Sequence, residues 1–271
     1  MAQYKVIITD FGLPDNDLEA AEMAASGLDI QLVRLDARVP EDLFPHVTDA
    51  DGLIVQWCKI TPQVIDRLER CKIISRYGIG VDMVDLQAAG KAGIPVSNVP
   101  DFCIEEVSTH TIGFVIALNR HMWLHDAHVR AGHWGGTPGG APSRLAGQTL
   151  GIVGLGNIGS LVARKAGCLG LQLLGYDPYL PAERAAELGV HLVSLDELLA
   201  QADYVTLHCP LVPETRHLIG AAQFAAMKPT AYLINMARGP VVDQAALCDA
   251  LVRGTIAGAA VDVLEQEPPD P

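Results

Sequence analysis

Residues 149–159 read Thr149-Leu150-Gly151-Ile152-Val153-Gly154-Leu155-Gly156-Asn157-Ile158-Gly159. A short apolar run of strand character leads into glycines spaced G-x-G-x-x-G, and a helical pattern over 158–169 follows. The spacing alone is a weak signal. Strand, glycine turn and helix in that order make it a dinucleotide-binding turn. Gly154 permits the tight turn, Gly156 lets a diphosphate approach the backbone, and Gly159 lets helix and strand pack closely. The helix then presents unpaired N–H groups and a positive dipole end to the phosphates. Gly154, Gly156, Asn157, Ile158 and Gly159 are therefore candidate cofactor-binding residues. Asp177 stands just after the next predicted strand, 171–176, and 23 residues past Gly154. That is close to the offset of an acid that grips the ribose hydroxyls. A carboxylate there repels a 2′-phosphate and no Arg follows it directly, so the cofactor is expected to be NAD rather than NADP.

Outward from this turn, short β-branched runs alternate with helical patterns in both directions. Before it, strands are predicted at 5–9, 30–35, 53–55, 72–75 and 94–96, with helices over 18–26, 61–70 and 84–92. Thr61-Pro62 is a good helix start, and Gly93 a good stop. After it, strands are predicted at 171–176, 191–193, 204–207, 231–235 and 257–261. Helices over 181–188, 195–200, 221–227 and 244–253 lie between them. Such alternation predicts an α/β fold of two Rossmann-like, doubly wound parallel-sheet domains. The boundaries are expected at 1–98 and 99–271. A long helix over 104–130 is predicted between the two series, and the Gly- and Pro-rich stretch 132–147 reads as a loop.

Lys and Arg number 19 against 32 Asp and Glu, a formal net charge of −13, which argues against a nucleic-acid partner. Hydrophobic residues at 49% and charged residues at 19% call for a packed core rather than disorder. The six cysteines form no C-x-x-C pair, which reads as reduced thiols, and neither a signal peptide nor a membrane-spanning run is visible. A cytoplasmic protein without a membrane partner is expected. His121, His125 and His128 have the spacing of one helix face, with His133 nearby. No cysteine or carboxylate completes an obvious ligand shell, so no metal site is expected.

Several stretches, in order, resemble the D-isomer-specific 2-hydroxyacid dehydrogenase family. They are Tyr77-Gly78-Ile79-Gly80-Val81-Asp82, Gly93-Ile94-Pro95-Val96-Ser97-Asn98, the glycine turn itself, His208-Cys209-Pro210-Leu211 with Glu214-Thr215, Asn235-Met236-Ala237-Arg238-Gly239-Pro240-Val241-Val242-Asp243, and Ala260-Val261-Asp262-Val263-Leu264-Glu265-Gln266-Glu267-Pro268. The resemblance implies a substrate domain and an NAD-binding domain with the active-site cleft between them. It implies hydride transfer between NAD(H) and a small D-2-hydroxy or 2-oxo acid.

Residue by residue, Arg238 matches the arginine that binds the substrate's carboxylate and carbonyl, for which a planar guanidinium fork is suited. Ile79 and Gly80 match the backbone that holds the substrate carboxylate. Glu267 matches the acid that pairs with the catalytic histidine and raises its pKa. Asp262 matches the position contacting the nicotinamide amide. Cys209, Met236 and Ala237 would line the cofactor through their backbone, though for Cys209 a packing role serves equally well.

In the family the catalytic histidine stands a couple of dozen residues beyond Glu267, in a Pro-His motif, and a final helix braces the first domain. Neither lies within the 271 residues, so a fragment is expected, with a truncated NAD-binding protein of weak turnover as the alternative. His208 occupies a position where the family often has a histidine without acid–base work, and is read as structural. The family also implies a homodimer through the 104–130 region. A reading from another class is an NAD-sensing interaction protein resembling the C-terminal-binding-protein corepressors. The identity of the acid is not legible, and a formate- or phosphite-oxidising relative shares the same Arg and Glu.

Overall fold

The computed structural model describes residues 3–10, 12, 15–141, 143–267 and 269. Met1 and Ala2 at the start, and Pro268, Asp270 and Pro271 at the end, lie outside the described residues. The chain divides into two compact units, Met1–Phe102 and Cys103–Pro271.

In the first unit, β1 (Tyr4–Ile8), β2 (Ile30–Arg34), β3 (Gly52–Val55), β4 (Ile73–Arg76) and β5 (Val96–Ser97) form a parallel sheet in the order β2-β1-β3-β4-β5. Helices α1 (Asp17–Ala25), α2 (Pro62–Ile65) and α3 (Leu86–Lys91) supply three of the crossovers, and a 3-10 turn over Pro40–Leu43 lies between β2 and β3. Ile7, Leu53, Val55 and Ile74 from the strands pack against Val64, Ile65 and Ala89 from α2 and α3.

The second unit opens with α4 (Ile104–Arg120) and α5 (Met122–Arg130). Its strands are β6 (Thr149–Val153), β7 (Gln172–Tyr176), β8 (His191–Leu192), β9 (Tyr204–Leu207), β10 (Tyr232–Asn235) and β11 (Gly258–Val261). They pair in parallel in the order β11-β10-β9-β6-β7-β8. Between them lie α6 (Asn157–Gly167), α7 (Ala182–Glu187), α8 (Leu195–Gln201), α9 (Ala221–Ala226) and α10 (Gln244–Arg253).

Strand alternation divides the apolar residues between two layers. Leu150, Ile152, Tyr204 and Ile234 face Val115, Leu118, Val162, Ala163 and Ala166 of α4 and α6. Val153, Val205, Leu207 and Leu233 face Leu198, Leu199, Phe224, Leu247 and Ala250 of α8, α9 and α10. The chain leaves β6 toward β7 and β8, then returns to the other side through β9, β10 and β11. The order therefore reverses between β6 and β9, and the segments after these strands flank the switch point where α/β sheets bind ligands.

Two predicted helices differ from expectation. The stretch over 61–70 is helical only through Ile65, after which Arg67 and Leu68 make i→i−3 bonds. Arg70 and Lys72 are tied to buried Asp51 at 3.0 and 3.2 Å, which draws the chain out of the helix and into β4. The helix over 104–130 is two helices. His121 adopts a left-handed conformation (φ 49°, ψ 40°) between them. Histidine enters that region more readily than branched residues do. The break means that His121, His125 and His128 do not share one helix face.

Candidate functional site

The glycine turn is locked by contacts that explain each glycine. Gly154 leaves β6 with φ +87°, and a Cβ on it would lie 2.7 Å from the Cys209 backbone N. Its N–H donates to Tyr176 O at 2.9 Å. A Cβ on Gly159 would lie 2.0 Å from Gly154 O, so α6 starts in contact with the turn it leaves. Gly156 is different, since a Cβ there would meet nothing within 4 Å. It is also the N-cap of α6 and offers no side chain to satisfy the first N–H groups. An uncapped helix start beside open space suits a diphosphate. Asp177 Oδ2 accepts from Leu155 N–H at 2.8 Å and Oδ1 from Tyr179 N–H at 2.9 Å. The carboxylate is thereby fixed at the rim of the turn, and the residues present fit a dinucleotide with unmodified ribose hydroxyls.

The segments after β9 and β10 form the neighbouring wall. His208 Nε2 pairs with Thr206 Oγ1 at 2.9 Å, while its Nδ1 is sealed from solvent. Burial pushes the imidazole pKa down to about 3, so His208 is neutral at physiological pH. A neutral, half-buried imidazole with Nδ1 sealed and Nε2 held by Thr206 suits packing and not proton transfer. Burial, above all, likewise pushes the Cys209 thiol up to about 11. Cys209 meets Gly154 through its backbone.

Asn235, at the end of β10, organises the next turn. Its buried side chain accepts from Ala237 N–H (3.1 Å) and donates to Arg238 O (3.0 Å). Met236 and Ala237 are buried, whereas Arg238 is half-buried and donates through Nη1 to Ala237 O at 2.8 Å. Gly239 then packs against the segment after β11, where a Cβ on it would lie 1.8 Å from Leu264 O. Asp262 is exposed, with its N–H on Asn235 O at 3.1 Å and its carboxylate 3.7 Å from His110. Glu267 Oε1 accepts from Leu264 N–H at 2.7 Å. The turns bearing Arg238 and Glu267 thus lie back to back on adjacent strand ends.

In the first unit, the turn after β4 is held from behind. Gly78 has φ +134°, its N–H donates to Arg76 O, and its carbonyl accepts from Val99 N–H, both at 3.0 Å. Asn98 Nδ2 donates to Ile79 O at 2.7 Å. Among the described residues, no group of three His, Cys, Asp or Glu side chains could hold a metal ion, and no helix is long and apolar enough to cross a membrane.

Residues 112–271 match the family model for the D-isomer specific 2-hydroxyacid dehydrogenase NAD-binding domain. The chain belongs to this family. It is 43% identical over 231 residues to a D-3-phosphoglycerate dehydrogenase of Methanocaldococcus jannaschii, covering 84% of this chain and 44% of that protein. It is 42% identical over 232 residues to the chloroplastic D-3-phosphoglycerate dehydrogenase 2 of Arabidopsis thaliana, covering 85% and 37%. The chain therefore spans about half or less of the length of these curated relatives. Among solved structures, it resembles the Aquifex aeolicus D-lactate dehydrogenase complexed with NAD and lactic acid. That match has a TM-score of 0.87 and 32% identity, and covers 97% of this chain and 78% of that one.

Asn98 and Asn235 stand within the stretches quoted from the sequence, which gives them no role; the structure places Asn98 behind Ile79 and Asn235 behind Arg238. An Asn directly after an apolar strand run is the signal that was present for Asn235, because its side chain readily caps its own turn. Asn98 reaches across 19 residues, and nothing local announces that contact.

Proposed function

We propose that the protein is an NAD-dependent oxidoreductase acting on a small D-2-hydroxy or 2-oxo acid. NAD, when bound, supplies or accepts the hydride at C2 of that acid. In this reading Gly154, Gly156, Asn157, Ile158 and Gly159 hold the diphosphate and Asp177 grips the ribose. Cys209, Met236, Ala237 and Asp262 line the nicotinamide side. Arg238 binds the carboxylate and carbonyl of the acid, and polarises that carbonyl. The backbone of Ile79 and Gly80 is the further substrate-binding element, so the unit Met1–Phe102 is assigned the substrate role. Glu267 is the acidic member of the proton-transfer pair.

The observation that carries the reading is the Arg238 turn. Arg238 is half-buried and its backbone carbonyl is held by Asn235, one strand end away from β9, which itself neighbours the glycine turn. The relatives named above are dehydrogenases, which favours an enzyme over an interaction protein. We further read the protein as cytoplasmic, in keeping with its six free cysteines, and as a homodimer through the 104–130 region. The exposed Met122, Trp123 and Val129 on α5 support that contact.

The test is Arg238→Ala. Adding glyoxylate or pyruvate to the NADH-loaded protein should quench nicotinamide fluorescence or oxidise NADH. The variant should lose about a hundred-fold in affinity for the acid, since a desolvated charged pair is worth about 3 kcal/mol, while NADH binds as before. An unchanged response to the acid would remove Arg238 from the site.

A further inference from the structure

One residue that the reading above leaves without a role is tied to both of the turns that carry its charged groups. His217 stands in the loop between β9 and α9, in the left-handed region at φ +52°. A non-glycine residue holds that conformation only where its surroundings fix it. Its backbone N–H donates to Pro240 O at 2.8 Å, two residues past Arg238. Its side chain reaches the other turn, where Nε2 pairs with Glu265 Oε1 at 2.7 Å. Glu265 is an ionised acceptor, its pKa held low chiefly by this bond, so the imidazole must be the donor.

Glu265 is clamped from further directions. Arg216 lies 3.7 Å from its Oε1, and its Oε2 accepts from Gln244 N–H at 3.4 Å. Gln244 Oε1 in turn accepts from Glu265 N–H at 3.0 Å. Gln244 begins α10, whose N-cap Asp243 donates its own N–H to Ile219 O, two residues past His217. The segment after β11 is therefore fastened at Glu265, and Glu267 follows after a single residue. On its other side that segment abuts Gly239 with no space for a methyl group.

We propose that His217 and Glu265 are a positioning pair that sets the segment bearing Glu267 against the turn bearing Arg238. The inference rests on the functional reading above, in which Glu267 and Arg238 face the reacting acid. Among the described residues no hydrogen bond or ion pair joins His217 to the Gly154 turn or to Asp177, so its effect is expected on the acid and not on the dinucleotide. Glutamine at 217 can place an amide N–H where Nε2 stands, whereas alanine cannot.

The experiment compares His217→Ala, His217→Gln and Glu265→Gln in the NADH-loaded protein, with glyoxylate and pyruvate as probes. The expected result is about a ten-fold loss of acid affinity in H217A, a change of about 1.4 kcal/mol. H217Q should recover most of it, E265Q should fall between, and NADH affinity should stay level in all three. Full acid affinity in H217A, or no rescue by glutamine, overturns the proposal. A parallel loss of NADH affinity also overturns it, because the pair would then only support the fold. A wild-type protein that binds NADH but neither acid overturns the functional reading itself, and the pair with it.

Discussion

Replacing Gly159 by alanine should abolish tight NADH binding and destabilise the second unit. The added Cβ would sit 2.0 Å from Gly154 O, 3.1 Å from Gly154 C and 3.5 Å from Ile152 Cγ2. Carbon-to-oxygen contacts normally open to about 3.3 Å or more, so either α6 or the turn must move by over about 1 Å. The obstructing atom is backbone, which has no rotamer to escape into. Overpacking of this kind costs about 3 kcal/mol. The displacement also spoils the alignment of the N–H groups at the start of α6, and a hundred-fold loss of NADH affinity (about 2.7 kcal/mol) is expected. Urea unfolding and a fluorescence titration with NADH check both effects. Gly156→Ala is the contrast, since a methyl there meets no protein atom within 4 Å. It should leave the unfolding midpoint almost unchanged and weaken NADH binding, because the methyl points into the ligand's space. Equal unfolding midpoints for the two variants would contradict this account of the turn.

The second large effect is expected from Gly239→Ala. Here the Cβ would lie 1.8 Å from Leu264 O, 2.0 Å from Leu264 C and 2.4 Å from Glu265 N. Three backbone atoms stand in the way, so the segment bearing Glu265 and Glu267 must lift off the Arg238 turn. The same movement strains the bond from Glu265 to His217 and the bonds to Gln244. A loss of about 3 kcal/mol in stability is again expected. The functional signature should differ from that of Gly159→Ala, because the obstruction lies at the groups proposed for the substrate and not at the turn proposed for the diphosphate. Affinity for a 2-oxo acid should fall far more than affinity for NADH. Calorimetric titration with NADH, then with glyoxylate, separates the two. Equal losses for both ligands would mean that the back-to-back packing supports the whole domain and not the acid site.

Much of this was legible because the relevant signals are local. The glycine spacing, the strand before it and Asp177 lie within one βαβ unit, so their meaning survives without tertiary information. The parallel sheets followed from the strand and helix alternation for the same reason. The errors arose where a distant partner overrides local preference. The helix predicted to run to residue 70 ends early because buried Asp51, from before β3, claims Arg70 and Lys72. The 104–130 helix breaks at His121 with no proline or glycine at the break to announce it. Arg238 and Glu267 are assigned to the site through the resemblance, which says nothing of what holds them. His217 and Glu265 are 48 residues apart, and the tightness at Gly239 depends on Leu264. A glycine required by a neighbour's carbonyl looks, in one sequence, like any other glycine after an arginine.

The Gly154 turn and Asp177 together suit a dinucleotide whose ribose carries no 2′-phosphate. Titrating the protein with NADH and with NADPH, at one ionic strength, tests it most directly. Asp177, fixed by the N–H groups of Leu155 and Tyr179, has no freedom to turn away from a phosphate. Repulsion between the two anions, each partly desolvated, should cost NADPH at least about 1.4 kcal/mol, a ten-fold difference in dissociation constant. Asp177→Asn should narrow that gap by weakening NADH and strengthening NADPH. NADPH bound as tightly as NADH by the wild-type protein, or a gap that Asp177→Asn leaves unchanged, would contradict the account.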